Sequence, residues 1–404
     1  MVRTVFRDGE VFDGTGAPPA VADVVVEDGR IVDVGAGLDG DIAVDAHGRS
    51  ILPGMIDCHV HLTMSTTDLY ESAQKPFSLQ FYEAARHMRM TLAAGVTTVR
   101  DAAGADQGMR VAQERGLTAG PRMQVSLNML TQTGGHGDPW WPSTCILDLA
   151  PPHPGRPPVV VDGPEEVRRK VRELVRAGAD VIKVATSGGV VSPGAGSDVA
   201  HFRDDEISMM VEEATAAGLF VMAHASAAGA KAAVRNGVRS IEHGQDLDDE
   251  TIEMMVDRGT WLVPTLSAGL GLAESIEAGH LYPDSIMRKI TNVREARAST
   301  MSRALEAGVK FAMGSDAPLY PHGKNLREVS LLVEHGLTPL QALHAATGSA
   351  AQLLGIDDSV GSIMPGKRAD LVVVEGSAGD VEHLGDRVRE VYQDGKVVQA
   401  PAAS

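Results

Sequence analysis

Eight short runs of apolar and β-branched residues, alternating with helical patterns, constrain the fold of this 404-residue chain most strongly. The predicted strands are residues 51–61, 96–101, 122–128, 181–186, 220–224, 240–243, 261–265 and 310–316. Alternation of strands with helices favours a parallel α/β architecture. Eight such units indicate a closed barrel of about 250 residues, with a doubly wound open sheet as the alternative. Because no GxGxxG motif follows any of these strands, the barrel is favoured.

The two ends of the chain have a different pattern from the middle. Asp-Gly pairs at 28–29 and 394–395 each lie between β-prone segments. Asp-Gly is a strong hairpin signal because Gly adopts the positive φ that a type I′ turn requires. We therefore predict a (β/α)8 TIM barrel over residues 54–354, flanked by one small β-sandwich domain built from residues 1–53 and 355–404.

Composition excludes several classes of partner. The net charge of -18 argues against nucleic acid, whose binding needs clustered Lys and Arg. No apolar run approaches the roughly 18 residues that span a bilayer, and Asp8, Glu10 and Asp13 stand where a signal peptide would be apolar. Two cysteines, Cys58 and Cys145, do not suggest a disulfide framework. We predict a cytoplasmic protein without a membrane or nucleic-acid partner.

Polar side chains that can bind metal stand at the C-terminal ends of the predicted strands. They are His59, His61, Lys183, His224, His243 and Asp316. Residues i and i+2 of a strand share a face, so His59 and His61 can direct two imidazoles to one point. Each residue alone has a structural explanation, as a core histidine, a lysine reaching the surface or a helix cap. Because functional groups of such barrels come from these strand ends, their repetition favours a metal site.

Several motifs spread over nearly the whole chain support this interpretation. They are PGMIDCHVH at 53–61, VIK at 181–183, His224, IEHG at 241–244 and GSDA at 314–317. Together they resemble the metal-dependent amidohydrolase superfamily. Within it, GGHGD at 134–138 and SGGV at 187–190 resemble the imidazolonepropionase-related branch, which contains Xaa-Pro and Xaa-Arg dipeptidases.

The resemblance implies a binuclear centre with two divalent ions, zinc being the expected metal. The implied ligands are His59, His61 and Asp316 for one ion, His224 and His243 for the other, and a carboxylated Lys183 that bridges both. Carboxylation is required because an ammonium repels cations, whereas a carbamate offers two anionic oxygens. Imidazole and carboxylate ligands also accept manganese, cobalt or iron, so the motifs leave the native metal open.

The resemblance also implies a reaction, the hydrolysis of an amide C–N bond by a hydroxide that bridges the two ions. Asp316 would act as the general base and later pass the proton to the leaving nitrogen. His136 would help to polarise the scissile carbonyl, although a histidine flanked by glycines could instead be exposed. Dipeptides and N-acyl amino acids are the substrates that the branch implies, and a homo-oligomer is compatible with it.

Two long loops are the predicted sites of substrate selection. The first, at about 129–164, contains His136, Trp140 and Trp141, and long structured loops are usually functional. The tryptophans could line an apolar pocket, or could cover the barrel rim or a subunit contact. The second, at 187–205, is rich in Gly, Ser and Asp and is predicted to be a mobile lid.

One departure from the dipeptidase pattern leaves the substrate open. Dipeptidase-like relatives often carry a tyrosine two residues after the histidine of the fifth strand, where this chain has Ser226. Carboxylate-free aryl amides, carbamates or ureas are therefore alternative substrates, and Arg203, His322 or Lys324 could bind a substrate carboxylate instead. A mononuclear deaminase or cyclic-amide hydrolase is a further alternative, although Ala227 stands where such deaminases carry a Glu. The last alternative is a non-catalytic relative, which failure to bind any divalent metal would favour.

Overall fold

The structure, a computed structural model, describes residues 2–141, 143–190, 196–280 and 284–398, with side chains left undescribed at 284–286 and 289–296. Its strands are β1 Arg3–Val11, β2 Ala20–Glu27, β3 Arg30–Gly35, β4 Ile42–Asp45, β5 Arg49–Pro53, β6 Met55–Val60, β7 Val96–Asp101, β8 Arg122–Val125, β9 Met129–Leu130, β10 Ile182–Ala185, β11 Val221–Ala225, β12 Ser240–His243, β13 Trp261–Val263, β14 Lys310–Phe311, β15 Leu371–Glu375, β16 Val388–Gln393 and β17 Lys396–Val398. Its helices are α1 Leu69–Ala73, α2 Leu79–Ala93, α3 Gln107–Glu114, α4 Pro164–Arg176, α5 Asp204–Ala216, α6 Ala227–Arg235, α7 Asp249–Arg258, α8 Leu266–Glu277, α9 Asp284–Ala307, α10 Arg327–Glu334, α11 Pro339–Ala345, α12 Gly348–Leu354 and α13 Leu384–Arg387. The predicted α/β class is confirmed.

Strands from both ends of the chain pair in one eight-stranded sheet. Its order is β17-β16-β15-β5-β1-β2-β3, with β4 paired to β1. The two ends meet where β5 runs antiparallel to β15, with Pro53 opposite Leu371. Phe6 near the N-terminus and Tyr392 near the C-terminus are both buried, and their ring centroids lie 4.9 Å apart. Residues from the two termini therefore share one hydrophobic cluster.

The predicted continuous strand at 51–61 is wrong, because the chain changes from one sheet to another at Gly54. The amide of Gly54 donates to the carbonyl of Asp370 at 2.7 Å, whereas the amide of Met55 donates to Gly95 at 3.0 Å. A Cβ on residue 54 would lie 2.1 Å from Thr97 Oγ1, so only glycine fits without movement of its neighbours. As a result, β5 pairs with β15 and β6 pairs with β7.

The middle of the chain contains two parallel sheets. Their orders are β6-β7-β8 and β14-β13-β12-β11-β10-β9. Backbone hydrogen bonds join the sheets at both edges: Asp316 N donates to His59 O, and Asp180 N donates to Val125 O, each at 2.8 Å. The strands are thus linked in sequence order, with the last connected to the first, as the predicted barrel requires.

Two of these strands end earlier than predicted. The third stops at Val125 because Leu127 adopts a φ of 67°, which is outside the β region. The chain then resumes as β9 beside a new neighbour, β10. The eighth is regular only over Lys310–Phe311, and Asp316 has a φ of 55°. Both strands turn out of the sheet at the end where functional side chains are expected.

The helices around these strands follow the sequence closely. In α4, apolar residues at helical spacing are buried at Val167, Val171 and Leu174. At the start of α11, the Thr338 hydroxyl accepts from Gln341 N and Thr338 N donates to the Gln341 side chain, so Thr338 and Gln341 form a capping box. Among the described residues, no helix is at once long enough and apolar enough to cross a membrane.

Candidate metal centre

Three of the predicted ligands meet at the end of β6. His59 and His61 project from this strand and its end, and Asp316 follows β14. The Nε2 atoms of His59 and His61 lie 3.5 and 3.2 Å from Asp316 Oδ1. One ligand atom from each of the three residues falls within 4.8 Å of the other two. Their spacing and donor types fit a single metal ion.

The other two predicted histidines lie beside this group, at the ends of β11 and β12. The rings of His224 and His243 are 4.4 Å apart, and the His243 ring is 5.1 Å from that of His59. His243 has a φ of 71°, which, like the φ of Asp316, lies in the left-handed region. This region is uncommon for a residue other than glycine. Such backbone costs free energy, and it persists where the surrounding structure holds it, often at functional sites.

Hydrogen bonds set the same tautomer on three of these histidines. The Nδ1 atom of His61 lies 2.9 Å from the carbonyl oxygen of Ala103, which can only accept, so Nδ1 carries the proton. His59 Nδ1 similarly faces the carboxylate of Glu242 at 2.8 Å. The Nε2 lone pairs of His59 and His61 are therefore directed towards Asp316. A cation between these electron-rich atoms would stabilise the arrangement.

His243 follows the same rule through a hydroxyl. The hydroxyl of Thr265 donates to the carbonyl of Pro264 at 2.8 Å, so it must accept from His243 Nδ1, which lies 2.6 Å away. This leaves Nε2 of His243 without a proton. A neutral imidazole with a free nitrogen is the form that binds a metal. Burial also lowers the pKa of His243 well below its ordinary value, with the charges of His59 and Lys183 acting in the same direction.

Lys183 lies among these residues on β10. Its side chain is buried, and its Nζ has no hydrogen-bond partner among the described residues. Burial lowers its pKa to about 8, although the charges of Glu242 and Asp316 act in the opposite direction. A buried ammonium without a hydrogen bond is costly, so the environment favours a neutral or modified amine.

A charged network that the sequence analysis missed lies behind the histidines. Arg100 on β7 donates from Nε to the carbonyl of Cys58 at 2.7 Å and from Nη2 to Glu242 Oε1 at 2.9 Å. The Ser240 hydroxyl donates to the same carboxylate oxygen at 2.5 Å. Arg100 and Glu242 are buried, and the other oxygen of Glu242 accepts from His59. The sequence did contain a signal for this network, since Arg100 and Glu242 are each a charged residue inside an apolar strand.

Asp57 is a further residue that the sequence analysis missed. Its carboxylate accepts from the amide and hydroxyl of Ser315 at 3.0 and 2.6 Å, and from the side-chain amide of Asn325 at 2.8 Å. Ser315 immediately precedes Asp316. Asp57 therefore fixes the segment that carries Asp316 against the strand that carries His59.

The structure brings His136 to the centre. Its ring stacks on the ring of His224, with centroids 4.2 Å apart and planes inclined by 27°. A Cβ on Gly189 would lie 2.1 Å from His136 Cε1, so the ring rests against the backbone of the next loop. The two loops predicted to select the substrate thus meet beside His224. The middle of the predicted lid, residues 191–195, lies outside the described residues.

The structure places the other predicted substrate residues in different environments. Trp140 is 55% exposed and forms an antiparallel bridge with Ile146, so it faces outward, and Trp141 is partly buried. Arg203 is exposed at the start of α5, and the side chain of Lys324 is 64% exposed. Neither cation is enclosed with the histidines.

Ser226 and His322 are buried rather than exposed. The Ser226 hydroxyl donates to Gln245 Oε1 at 2.6 Å, two residues after the end of β12. The ring of His322 stacks on His87 with centroids 4.2 Å apart, and its Nε2 lies 3.1 Å from the carbonyl of Met64. Burial, with a contribution from the charge of His87, lowers the pKa of His322 to about 3. His322 is therefore neutral and not a counterion for a carboxylate at neutral pH.

Comparison with known proteins gives a consistent family. The sequence model of the Amidohydrolase family matches residues 50–399. Ochratoxinase from Aspergillus niger is 33% identical over 426 residues, covering 98% of this chain and 87% of that protein. Imidazolonepropionase from Micrococcus luteus is 26% identical over 391 residues, with 88% of each sequence covered. The crystal structure of a Xaa-Pro dipeptidase with methionine bound in its active site is 33% identical, with a TM-score of 0.88, and covers 98% of this chain and 99% of that one.

Proposed function

We propose that this chain, which belongs to the amidohydrolase family, is a binuclear metalloenzyme that cleaves dipeptides or N-acyl amino acids. The relatives that it resembles include hydrolases of amide and peptide bonds. One observation carries the proposal. Ligand atoms of His59, His61 and Asp316 lie within 4.8 Å of one another, and the rings of His243 and His224 lie beside this group.

The donor set supports two metal ions rather than one. We assign His59, His61 and Asp316 to the first ion, and His224 and His243 to the second. Two imidazoles do not complete a site, so the unpaired amine of Lys183, once carboxylated, would supply the shared ligand. Zinc fits this set of nitrogen and oxygen donors. When bound, such ions lower the pKa of water and polarise a carbonyl group.

The side chains of the chain itself supply the proton transfers. In the metal-free centre burial raises the pKa of Asp316, but attraction to protonated His59, the hydrogen bond with His61 and attraction to protonated Lys183 outweigh burial, so that the pKa lies below its ordinary value. Asp316 is therefore ionised at neutral pH and can accept a proton from the attacking water, then pass it to the leaving nitrogen. We assign to His136, whose ring stacks on that of His224, the donation of a hydrogen bond to the developing oxyanion.

The substrate class rests on a relative. The Xaa-Pro dipeptidase structure has an amino acid, methionine, in its active site. We infer that this chain also accepts an α-amino acid unit on the leaving side of the scissile bond. The hydroxyl of Ser226 is buried and donates to Gln245, so it does not take the role of the tyrosine that dipeptidase-like relatives often carry at this position. This favours the alternative of carboxylate-free aryl amides, carbamates or ureas.

The proposal includes the architecture that positions the centre. We propose that the parallel strands close into a (β/α)8 barrel over residues 54–354, and that residues 1–53 and 355–404 form a flanking β-sandwich. The hydrogen bond from Asp316 N to His59 O supports closure because it joins the last strand to the first. The shared cluster of Phe6 and Tyr392 supports a composite domain.

A side-by-side hydrolysis screen tests the proposed function. Zinc-loaded protein would be incubated with dipeptides, N-acyl amino acids and carboxylate-free aryl amides, and products would be detected by mass spectrometry. We expect turnover of substrates with a free α-carboxylate, lowered by about 10²–10⁴-fold in Asp316→Asn. Turnover confined to carboxylate-free amides would establish the alternative, and no turnover of any amide would refute the proposal.

A further inference from the structure

Arg297 is a buried cation that has no counterion among the side chains that the structure describes. It lies on α9 and is 8% exposed. Among the described residues, its Nε has no hydrogen-bond partner, and Glu328 and Asp316 act on its charge only without direct contact. A buried charge is costly unless it is paired, so a partner is expected that the described chain does not supply.

The guanidinium packs against α8, the helix that begins beside His243. A Cβ on Gly269 would lie 2.7 Å from Arg297 Nη1, so the group packs directly against the backbone of α8. That helix begins just after Thr265, whose hydroxyl is bonded to His243. The charge of Arg297 contributes to the lowered pKa of His243, and that of Asp316 acts on Arg297 in turn.

The acidic groups that act on Arg297 are already occupied. Glu328 accepts from the amides of Leu266 and Ser267, both at 2.7 Å, and so caps the start of α8. Asp316 is directed at His59 and His61, where we place a metal ion. Neither carboxylate is within ion-pair distance of the guanidinium, which leaves its donors available for an anionic ligand.

We propose that Arg297 binds the α-carboxylate of the substrate. This inference rests on the proposed function and narrows its substrate class to amides with a free carboxylate. A guanidinium presents parallel N–H donors that match the two oxygens of a carboxylate. Arg297 would thereby bind the substrate carboxylate, which Ser226 does not. Arg203 and Lys324 are exposed and lie away from the histidines.

The proposal is tested by comparing matched acids and amides. The substrates are the N-acetyl derivatives of methionine, phenylalanine and proline, each against its carboxamide, with acetate release measured for zinc-loaded protein. We expect wild type to prefer the acids by about 10- to 100-fold in kcat/KM, the value of a charged hydrogen-bonded pair. Arg297→Met should lose this preference through slower turnover of the acids, with the carboxamides little changed.

Arg303→Met is the matched control. Arg303 lies on the same helix but bonds at the surface to Asp249 and to the carbonyl of Leu247, at 2.7 and 2.6 Å. This variant should keep the preference for acids. A preference retained in Arg297→Met, or absent from wild type, would overturn the assignment.

Binding and stability give readouts that do not depend on turnover. Calorimetry should show that wild type binds the N-acetyl amino acids more tightly than their carboxamides, and that Arg297→Met does not distinguish them. Thermal unfolding of Arg297→Met should occur at an unchanged or higher temperature, since an unpaired buried charge is replaced by an apolar side chain. A lower unfolding temperature with an unchanged preference for acids would mean that Arg297 is structural.

The remaining outcomes are also decisive. Should Arg297→Met not fold, Arg297→Lys decides: weaker binding of acids alone supports the proposal, and unchanged binding of acids and carboxamides overturns it. If no amide is hydrolysed, the proposed function fails, while the binding comparison still decides the role of Arg297. If wild type hydrolyses only carboxylate-free amides, the role of Arg297 is refuted and amide hydrolysis stands.

Discussion

Glu242 is the residue whose replacement gives the sharpest expected effect on the centre. Its buried carboxylate accepts from His59, Arg100 and Ser240, at distances of 2.8, 2.9 and 2.5 Å. Glu242→Gln keeps the shape but removes the charge, and it turns an N–H group towards one of these donors. Arg100 would then be buried without a counterion, and His59 would lose the acceptor that sets its tautomer.

These contacts determine how much stability and metal affinity Glu242→Gln should lose. Removing one partner of a buried ion pair costs about 3–5 kcal/mol of unfolding free energy. Losing the hydrogen-bond partner of a metal-bound histidine lowers metal affinity by about 10- to 100-fold. Urea denaturation of the metal-free protein measures the first effect, and zinc competition with a chelator measures the second.

A surface carboxylate provides the control for Glu242. Glu250 on α7 pairs with Lys231 at 2.6 Å, where the Glu250 side chain is 68% exposed. Glu250→Gln should change neither stability nor zinc affinity measurably, because exposed pairs contribute little. If Glu242→Gln binds zinc as tightly as wild type and unfolds at the same urea concentration, the reasoning about this network is refuted.

Three further changes test separate parts of the site. Lys183→Ala should lose metal and activity, with activity rescued by a short carboxylic acid; unchanged metal content without rescue would contradict a bridging carbamate. Asp316→Asn should leave thermal unfolding unchanged and lower turnover by about 10²–10⁴-fold, and full activity would exclude it as the base. Burial raises the pKa of Glu328 from 4.5 to about 7, so the folded protein favours the neutral carboxyl group. This preference contributes about 3 kcal/mol to the free energy of unfolding. The contribution is fully present below pH 4.5 and is lost as the pH rises through 7. Urea unfolding should therefore show a larger deficit of Glu328→Gln relative to wild type at pH 5 than at pH 8, and parallel pH profiles would contradict this.

Some features could be located from sequence because their pattern is local. His59 and His61 follow an apolar run, and the two-residue period of a strand places both on one face. Thr338 and Gln341 likewise specify a helix start within four residues. The structure places these groups as expected because each depends on neighbours in the chain.

The rest depends on contacts between distant segments. Gly54 changes sheet because its backbone approaches Thr97, which no local pattern shows. Glu242 stood inside a recognised motif, but its partner Arg100 is 142 residues away. Arg297 belongs to no motif, and its position becomes apparent only when α9 packs against α8 beside His243. Trp140, by contrast, was a candidate for a pocket, and the structure leaves it on the surface.

The central claim is that this chain hydrolyses amides only with two metal ions in the centre. The most direct test is the rate of hydrolysis of an N-acetyl amino acid, measured as zinc is added stepwise to protein stripped by a chelator. We expect no turnover without metal and a rate that reaches its maximum at two equivalents per chain. Turnover in the metal-free protein, or a maximum at one equivalent, would contradict the claim.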